Sequence, residues 1–386
     1  MVVAPWRPGV TQTIKVTIKH PDQKRWGFQV TARLASNPAK QAGTFTSNTD
    51  IRVRCLAGPD GPCNGDVEFA SHRSAAVTDV GAGFTYSVDW TPPATAAGDV
   101  VFYLAGNAAD GNGANSNDRV YTTSMVLSPA TCDLTGVPTV SSAVSSASFK
   151  GAIAPNSLIS IFGTGFQPTG LTRQVLPEDL ASRLVPSALS CMAVEINKVR
   201  APILYASATQ INAVVPTGTA AGATDVRVIL NPTGGTAITS SSITVQTTAA
   251  APGVFTLDGA KAAAQFSNTS TLVADPTAVT GAKAAKPGDL VTFYASGLGD
   301  TAGHIDAAVL PGAPSATTNT VTVMLNGTAL PASAVTYAGV TPGMTAGLYQ
   351  VNITIPAGVP TGDASLKVLV NGVASQDGVA LRTSAQ

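Results

Sequence analysis

Histidine is almost absent from this chain, with three in 386 residues, and charged residues make up only 11%. Soluble proteins usually carry about 25% charge. A duplex-binding surface needs clustered Lys and Arg, and the longest basic stretch, His20 to Arg25, is broken by Pro21 and Asp22. Nucleic acid is therefore not an expected partner. No run of about 18 apolar residues exists, which excludes a helical membrane span. The N-terminus, MVVAPWRPGV, has no basic region followed by an apolar stretch and does not read as a signal peptide. That stretch is compatible with a signal already removed and with a cytosolic chain.

Catalytic constellations are equally scarce. His20, His72 and His304 are scattered along the chain. Only His304 has nearby acids, Asp300 and Asp306 in GDTAGHID, and no GxSxG-type elbow accompanies it. Paired carboxylates in acid–base context are missing too. The chain is expected not to be an enzyme.

What is present is a strand-and-turn vocabulary: Ala, Thr, Val, Ser and Gly dominate, and Pro is frequent. Thr11–Lys19 (TQTIKVTIK) alternates polar and apolar in the two-residue period of a half-buried strand, as do Phe84–Trp90, Asp99–Leu104 and Val120–Leu127. Pro177–Arg183 is the one stretch read as a helical turn or two. Short strands separated by turns predict an all-β sandwich architecture.

Two segments carry the organisation. Residues 210–216 read QINAVVP and residues 350–356 read QVNITIP. Around them, Ala154–Phe166 (APNSLISIFGTGF) matches Lys286–Leu298 (KPGDLVTFYASGL), VEIN at 194–197 matches VMLN at 323–326, and Tyr205 matches Tyr337. DVRVILN at 225–231 then matches SLKVLVN at 365–371. Five matches in one order predict two copies of one β-domain. The Pro–Asn and Pro–Gly pairs set turns, the later Gly permits a bend, and the closing Pro ends the ladder. With a composition shift at Ser128–Pro138, the expected domains are 1–130, 131–249 and 250–386, the last two an internal repeat.

The cysteines are Cys55, Cys63, Cys132 and Cys191. Cys55 and Cys63 flank LAGPDGP, a turn that a disulfide could close. The even count permits two bridges, 55–63 with 132–191 being the preferred pairing and buried thiols the alternative. No CxxC pair supports zinc.

The loop DGNGANSND offers Asp110, Asn112, Asn115, Asn117 and Asp118 as oxygen ligands of the kind calcium takes. It lacks the bidentate Glu of an EF-hand. The plain reading is an Asn/Gly hairpin loop, with no cofactor; calcium is the sharper one. Trp6, Trp26, Trp90, Tyr86, Phe102 and Tyr103 read as core aromatics, with a sugar-stacking platform as the alternative.

The motifs IAPNSLISIFGTGF, VEINKVRAPILYASATQINAVVP, AAPGVFTLDG, KPGDLVTFYASGLG and YAGVTPGMTAGLYQVNITIPAGVPTGD resemble the tandem Ig-like C-terminal domain of secreted acidobacterial proteins, the Solibacter-type domain, over about 137–380. That resemblance implies an extracellular place and no known enzymatic activity. PGVTQTIKVTIKH, FTYSVDWTPP and GDVVFYLAGNAADGNGANSNDRVYTT resemble a Reeler-type (reelin-like) β-sandwich, which implies matrix or adhesion roles. The chain thus reads as three consecutive Ig-like sandwiches of a secreted, cell-surface structural or adhesive protein. One form is a pilus-like filament subunit whose partners are other copies of itself. Its candidate subunit-contact strand is Thr11, Thr13, Ile14, Val16 and Ile18, with the preceding arm Met1–Gly9. The alternative is a carbohydrate- or surface-binding module on a monomeric stalk, with surface glycans as partners.

Overall fold

The computed structural model describes residues 1, 5–58, 60–95, 97–129, 132–167, 172–233 and 235–385. The fold is all-β: the helical elements among these residues are three-residue 3-10 turns, two of them within Pro177–Arg183. The chain divides into two compact units. The first is Met1–Asp133 with Leu171–Asp179 and Thr233–Thr236, and the second holds both copies of the repeat.

The first unit uses strands β1 (Gln12–Ile18), β2 (Arg25–Leu34), β3 (Ile51–Cys55), β4 (Glu68–His72), β5 (Phe84–Thr91), β6 (Val100–Ala109) and β7 (Arg119–Leu127). One sheet runs β1, β5 and the short strand Thr44–Phe45; the other runs β7, β6, β2, β4, β3. Ile14, Val16 and Trp90 from the first sheet meet Trp26, Phe28 and Phe102 from the second in one core. Alternation dictates this: each strand has one apolar row, and only a facing sheet can take both rows out of water. β1 and β7 stand at the sheet edges.

The second unit repeats one pattern twice. Copy 1 has β8 (Thr139–Ser145), β9 (Leu158–Thr164), β10 (Met192–Ile196), β11 (Ile203–Ser207), β12 (Gln210–Val214), β13 (Gly222–Leu230) and β14 (Ile243–Thr247). Copy 2 has β15 (Leu290–Ser296), β16 (Val321–Leu325), β17 (Val335–Val340), β18 (Tyr349–Thr354), β19 (Gly362–Val370) and β20 (Ala380–Thr383). In each copy the central strands pair in one order, β9-β12-β11 and β15-β18-β17 in one sheet, β14-β13-β10 and β20-β19-β16 in the other.

The repeated residues do the same work in both copies. Ala154-Pro-Asn156-Ser157 and Lys286-Pro-Gly288-Asp289 are turns closed by N–H donation from the fourth residue to the first carbonyl, 3.0 Å each. Asn156 and Gly288 take φ of 57° and 89°, as the third position of a type II turn requires. Ser160 faces Asn212 and Thr292 faces Asn352 in register. The neighbouring strand bulges so that Tyr205 and Tyr337 meet those same asparagines.

Among the described residues the copies join through polar contacts and a short backbone pairing of Leu184 with Val309. Leu158 N donates to Ser296 Oγ (2.8 Å), Asn156 Nδ2 to Ile305 O (3.2 Å), and Gln376 Nε2 to Ala147 O (3.2 Å). A small cluster of Leu158, Val214 and Ala307 seals the middle. Gly347 lets the backbones approach, since a Cβ there would lie 2.9 Å from the Leu158 side chain.

Candidate functional site

Histidine chemistry finds no assembly. His72 Nδ1 accepts from Phe28 N at 3.0 Å and belongs to the sheet's own hydrogen bonding. His304 Nδ1 lies 2.5 Å from Asp300 Oδ2 on an exposed loop. Among the described residues, no group of three or more His, Cys, Asp or Glu could hold a metal ion. None of the described helices is long and apolar enough to cross a membrane.

Cys55 and Cys63 form a disulfide that closes the turn between them. Cys132 and Cys191 are also disulfide-bonded, and no described cysteine is free. Trp6, Trp26, Trp90 and Phe102 are fully buried and Tyr86 nearly so, which makes them core; Trp90 and Phe102 meet edge to face at 4.8 Å. Tyr103 alone of that set faces outward, on a shallow trough of about 460 Å³ with Gln29, Thr31, Phe69, Thr122 and Ser124. Arg33 caps the Phe69 ring at 5.5 Å.

The strand expected to be donated to a neighbouring subunit is paired within its own sandwich along its whole length. Ile14, Val16 and Ile18 fill the core. Thr11 and Thr13 face outward, bonded to Thr91 (2.7 Å) and Asp89 (2.7 Å). Giving this strand away would empty the core of the chain that donated it. The preceding arm gives the core less, Trp6 being its fully buried residue. Residues 2–4 lie outside the described residues, but Met1 lines a groove with Thr17, Ile18, Lys19, Tyr121 and Thr122, between the edges of β1 and β7. Trp6 bridges Pro129 just beyond the end of β7.

Of β1 to β7, β7 is the barest. Its first five residues are exposed, with Val120 at 69% and Tyr121 at 48%, and its only charge is Arg119. Within β7 itself, no described strand pairs with its outer edge. The sequence reading identified this segment as a strand but gave no sign that it would be an edge, because edge position depends on pairing order.

The loop Asp110–Asp118 connects β6 to β7. Asp110 accepts from Asn112 N (2.9 Å) and Asn112 Nδ2 (3.0 Å), and Asn112 Oδ1 accepts from Ala114 N (2.7 Å). Most of the loop's oxygens are therefore engaged in forming the loop itself. Asp118 differs: one carboxylate oxygen accepts from Asn107 Nδ2 at 3.2 Å, and the other is buried without a hydrogen-bond partner.

One buried charge cluster escaped the sequence reading. Arg173, 1% exposed, pairs with Asp99 (2.9 Å) and Asp179 (2.7 Å) in the first unit. Burial pushes the Asp99 carboxyl above its ordinary value, and Arg173 opposes that shift.

No family model matches the chain, which leaves the Solibacter-type resemblance resting on its motifs, and no curated protein matches either. Among solved structures, a human F-spondin reeler domain aligns at 16% identity, covering 33% of this chain and 85% of that one, with a TM-score of 0.22. The BSP domain of a biofilm-associated protein aligns at 10% identity over 97% of this chain and 63% of that one, with a TM-score of 0.21. A tandem of titin immunoglobulin domains gives 10%, 65%, 99% and 0.16 in the same order. At these values the likenesses carry no functional argument, and the reading below rests on the chain's own residues.

Proposed function

We propose that this is a non-enzymatic extracellular protein that builds or decorates a cell surface, with copies joined by β-strand pairing at the first sandwich. The observation that carries it is the exposed first half of β7, beside a groove that Met1 helps to line. An exposed strand edge is a template for another strand, and proteins that must stay monomeric blunt it with charge or proline. β7 has neither beyond Arg119. Exchange of the arm, rather than of β1, keeps the apolar row of β1 in its own core, moves Trp6 into the equivalent place in the neighbouring copy, and links copies. Disulfide-bonded cysteines fit an oxidising compartment.

The test is negative-stain microscopy of the purified chain together with V120K/T122K, which places two lysines on the exposed part of β7. Fibres from the parent and dispersed, folded particles from the variant are the expected result. Dispersed particles from both would overturn assembly through this edge.

A second reading has its own observation, the outward trough with Tyr103 and Phe69 beside hydroxyl and amide side chains. Such a surface suits a glycan, whose apolar ring faces stack on aromatics. A glycan array probed with the parent and with Phe69→Ala decides it: hits lost in the variant support a glycan-binding module, and no hits count against it.

A further inference from the structure

Gln23, Asn107 and Asp118 are neighbours at the β6–β7 hairpin. Asn107 Nδ2 donates to Asp118 Oδ2 (3.2 Å), and Gln23 Nε2 donates to the carbonyl of Asn117, the residue next to Asp118 (3.0 Å). The remaining oxygen of each side chain, Gln23 Oε1, Asn107 Oδ1 and Asp118 Oδ1, is buried and has no hydrogen-bond partner. Gln23 as a whole is 4% exposed. From this geometry we infer a hard-cation site of the calcium class, held by these three oxygens.

Turning the amides over does not remove the orphans. Flipping Asn107 would set its oxygen against the Asp118 carboxylate, and flipping Gln23 would set its oxygen against the Asn117 carbonyl. Each amide is therefore fixed by its one donated bond, and its oxygen is left over. Burying an acceptor without a donor is costly, and three such oxygens on neighbouring residues call for a common partner. A single water donates only two hydrogens and leaves one oxygen unserved. A cation serves all three, and carboxylate and amide oxygens are the ligands that calcium takes.

This site differs from the five-residue loop set read from the sequence. Asp110 and Asn112 spend their oxygens on the loop's own turns. Only Asp118 is common to both sets. Gln23 and Asn107 lie outside the loop, Gln23 in the turn before β2 and Asn107 on β6.

The experiment is calorimetric titration and thermal unfolding of the full chain with calcium chloride, and with magnesium and sodium chlorides at matched ionic strength. With one carboxylate, calcium should bind in the range of about 10⁻⁴–10⁻³ M, as extracellular modules do, and raise the unfolding temperature. Asp118→Asn should abolish that rise while circular dichroism stays native. Asn115→Ala should leave it unchanged. Asn107→Asp sets a second carboxylate beside the first. It should be destabilised without calcium, rescued by it, and bind at least about tenfold more tightly, as added ligand charge does in calcium sites. No calcium-dependent shift in the parent up to about 10 mM, well above that range, would overturn the site. So would unchanged affinity in Asp118→Asn, or an Asn107→Asp protein that calcium fails to rescue.

Discussion

The Asn352 side-chain oxygen accepts the Thr292 hydroxyl at 2.8 Å from the facing strand, and it also accepts Gln350 Nε2 at 2.9 Å from its own strand. In copy 1, Asn212 does the same for Ser160 (3.1 Å) and Gln210 (2.8 Å). This is why Gln-x-Asn is written twice: the motif builds a polar clamp across two strands. Removing the acceptor takes one of two partners from the nearly buried Thr292 hydroxyl, the other being Ser267 Oγ at 2.9 Å, so Asn352→Ala should cost about 0.5–1.5 kcal/mol. Asn352→Asp keeps the acceptor and should cost less. Urea unfolding of the two variants checks the order, and equal losses would mean that the clamp is not what the asparagine supplies.

Arg173 neutralises two carboxylates out of water. Arg173→Met leaves Asp99 and Asp179 without their counter-charge and should cost about 3–5 kcal/mol at neutral pH. The sign with pH follows from Asp99, whose carboxyl is raised by burial. A raised folded value means that its protonated form favours the fold, so stability is fully present below 3.8 and is lost as pH rises through the folded value. The penalty in the variant should therefore shrink as the solution is acidified, and thermal melts across pH would show it. A penalty that grows in acid would contradict the assignment.

The acids of copy 2 run the other way. Asp363 is held below 3.8 first by its bond to Lys261 and then by Arg382, and Asp275 by the Thr277 hydroxyl and N–H with help from Arg382. A depressed value contributes stability above the unfolded value and loses it as pH falls through the folded one. The unfolding temperature should fall below about pH 4, the range in which unfolded carboxylates take up protons. D275N/D363N should flatten that fall. An unchanged slope would mean that these carboxylates do not set it.

Opening the Cys55–Cys63 bridge releases a short loop, with a sequence separation of 8. By loop entropy alone, Cys55→Ser with Cys63→Ser should cost about 2–3 kcal/mol. Calorimetry of the double variant measures it, and the β1–β5 pairing elsewhere in the unit should keep its protection from hydrogen exchange.

Much of this was legible in the residues. Strict alternation in TQTIKVTIK and FTYSVDW gave strands that do pair with one another, in register from Gln12 opposite Trp90 to Ile18 opposite Phe84. The repeat was legible because turn and bulge residues are few in kind and fixed in place. It also runs further than the motifs showed: Ser240 and Ser375 each accept a strand N–H, from Val228 (3.0 Å) and Val368 (3.1 Å). Unequal loops hid that match. Arg173 was not legible, because its partner Asp99 lies 74 positions away and neither residue sits in a pattern. Gln23 gave no signal either, since a lone Gln before a strand looks like any solvated turn residue. The contact between the copies was missed because single hydroxyls, amides, one glycine and a small apolar cluster make it, and these leave no periodic trace.

That contact has a direction. Copy 1 offers Leu158, and copy 2 receives it with Ser296 and Gly347. The residue of copy 2 equivalent to Leu158 is Leu290, which is 50% exposed. The two copies are therefore joined head to tail rather than as mirror halves, so the join uses a different surface on each copy. The tandem is a vector: its leading and trailing ends are chemically distinct, and anything built by stacking it inherits the same arrow.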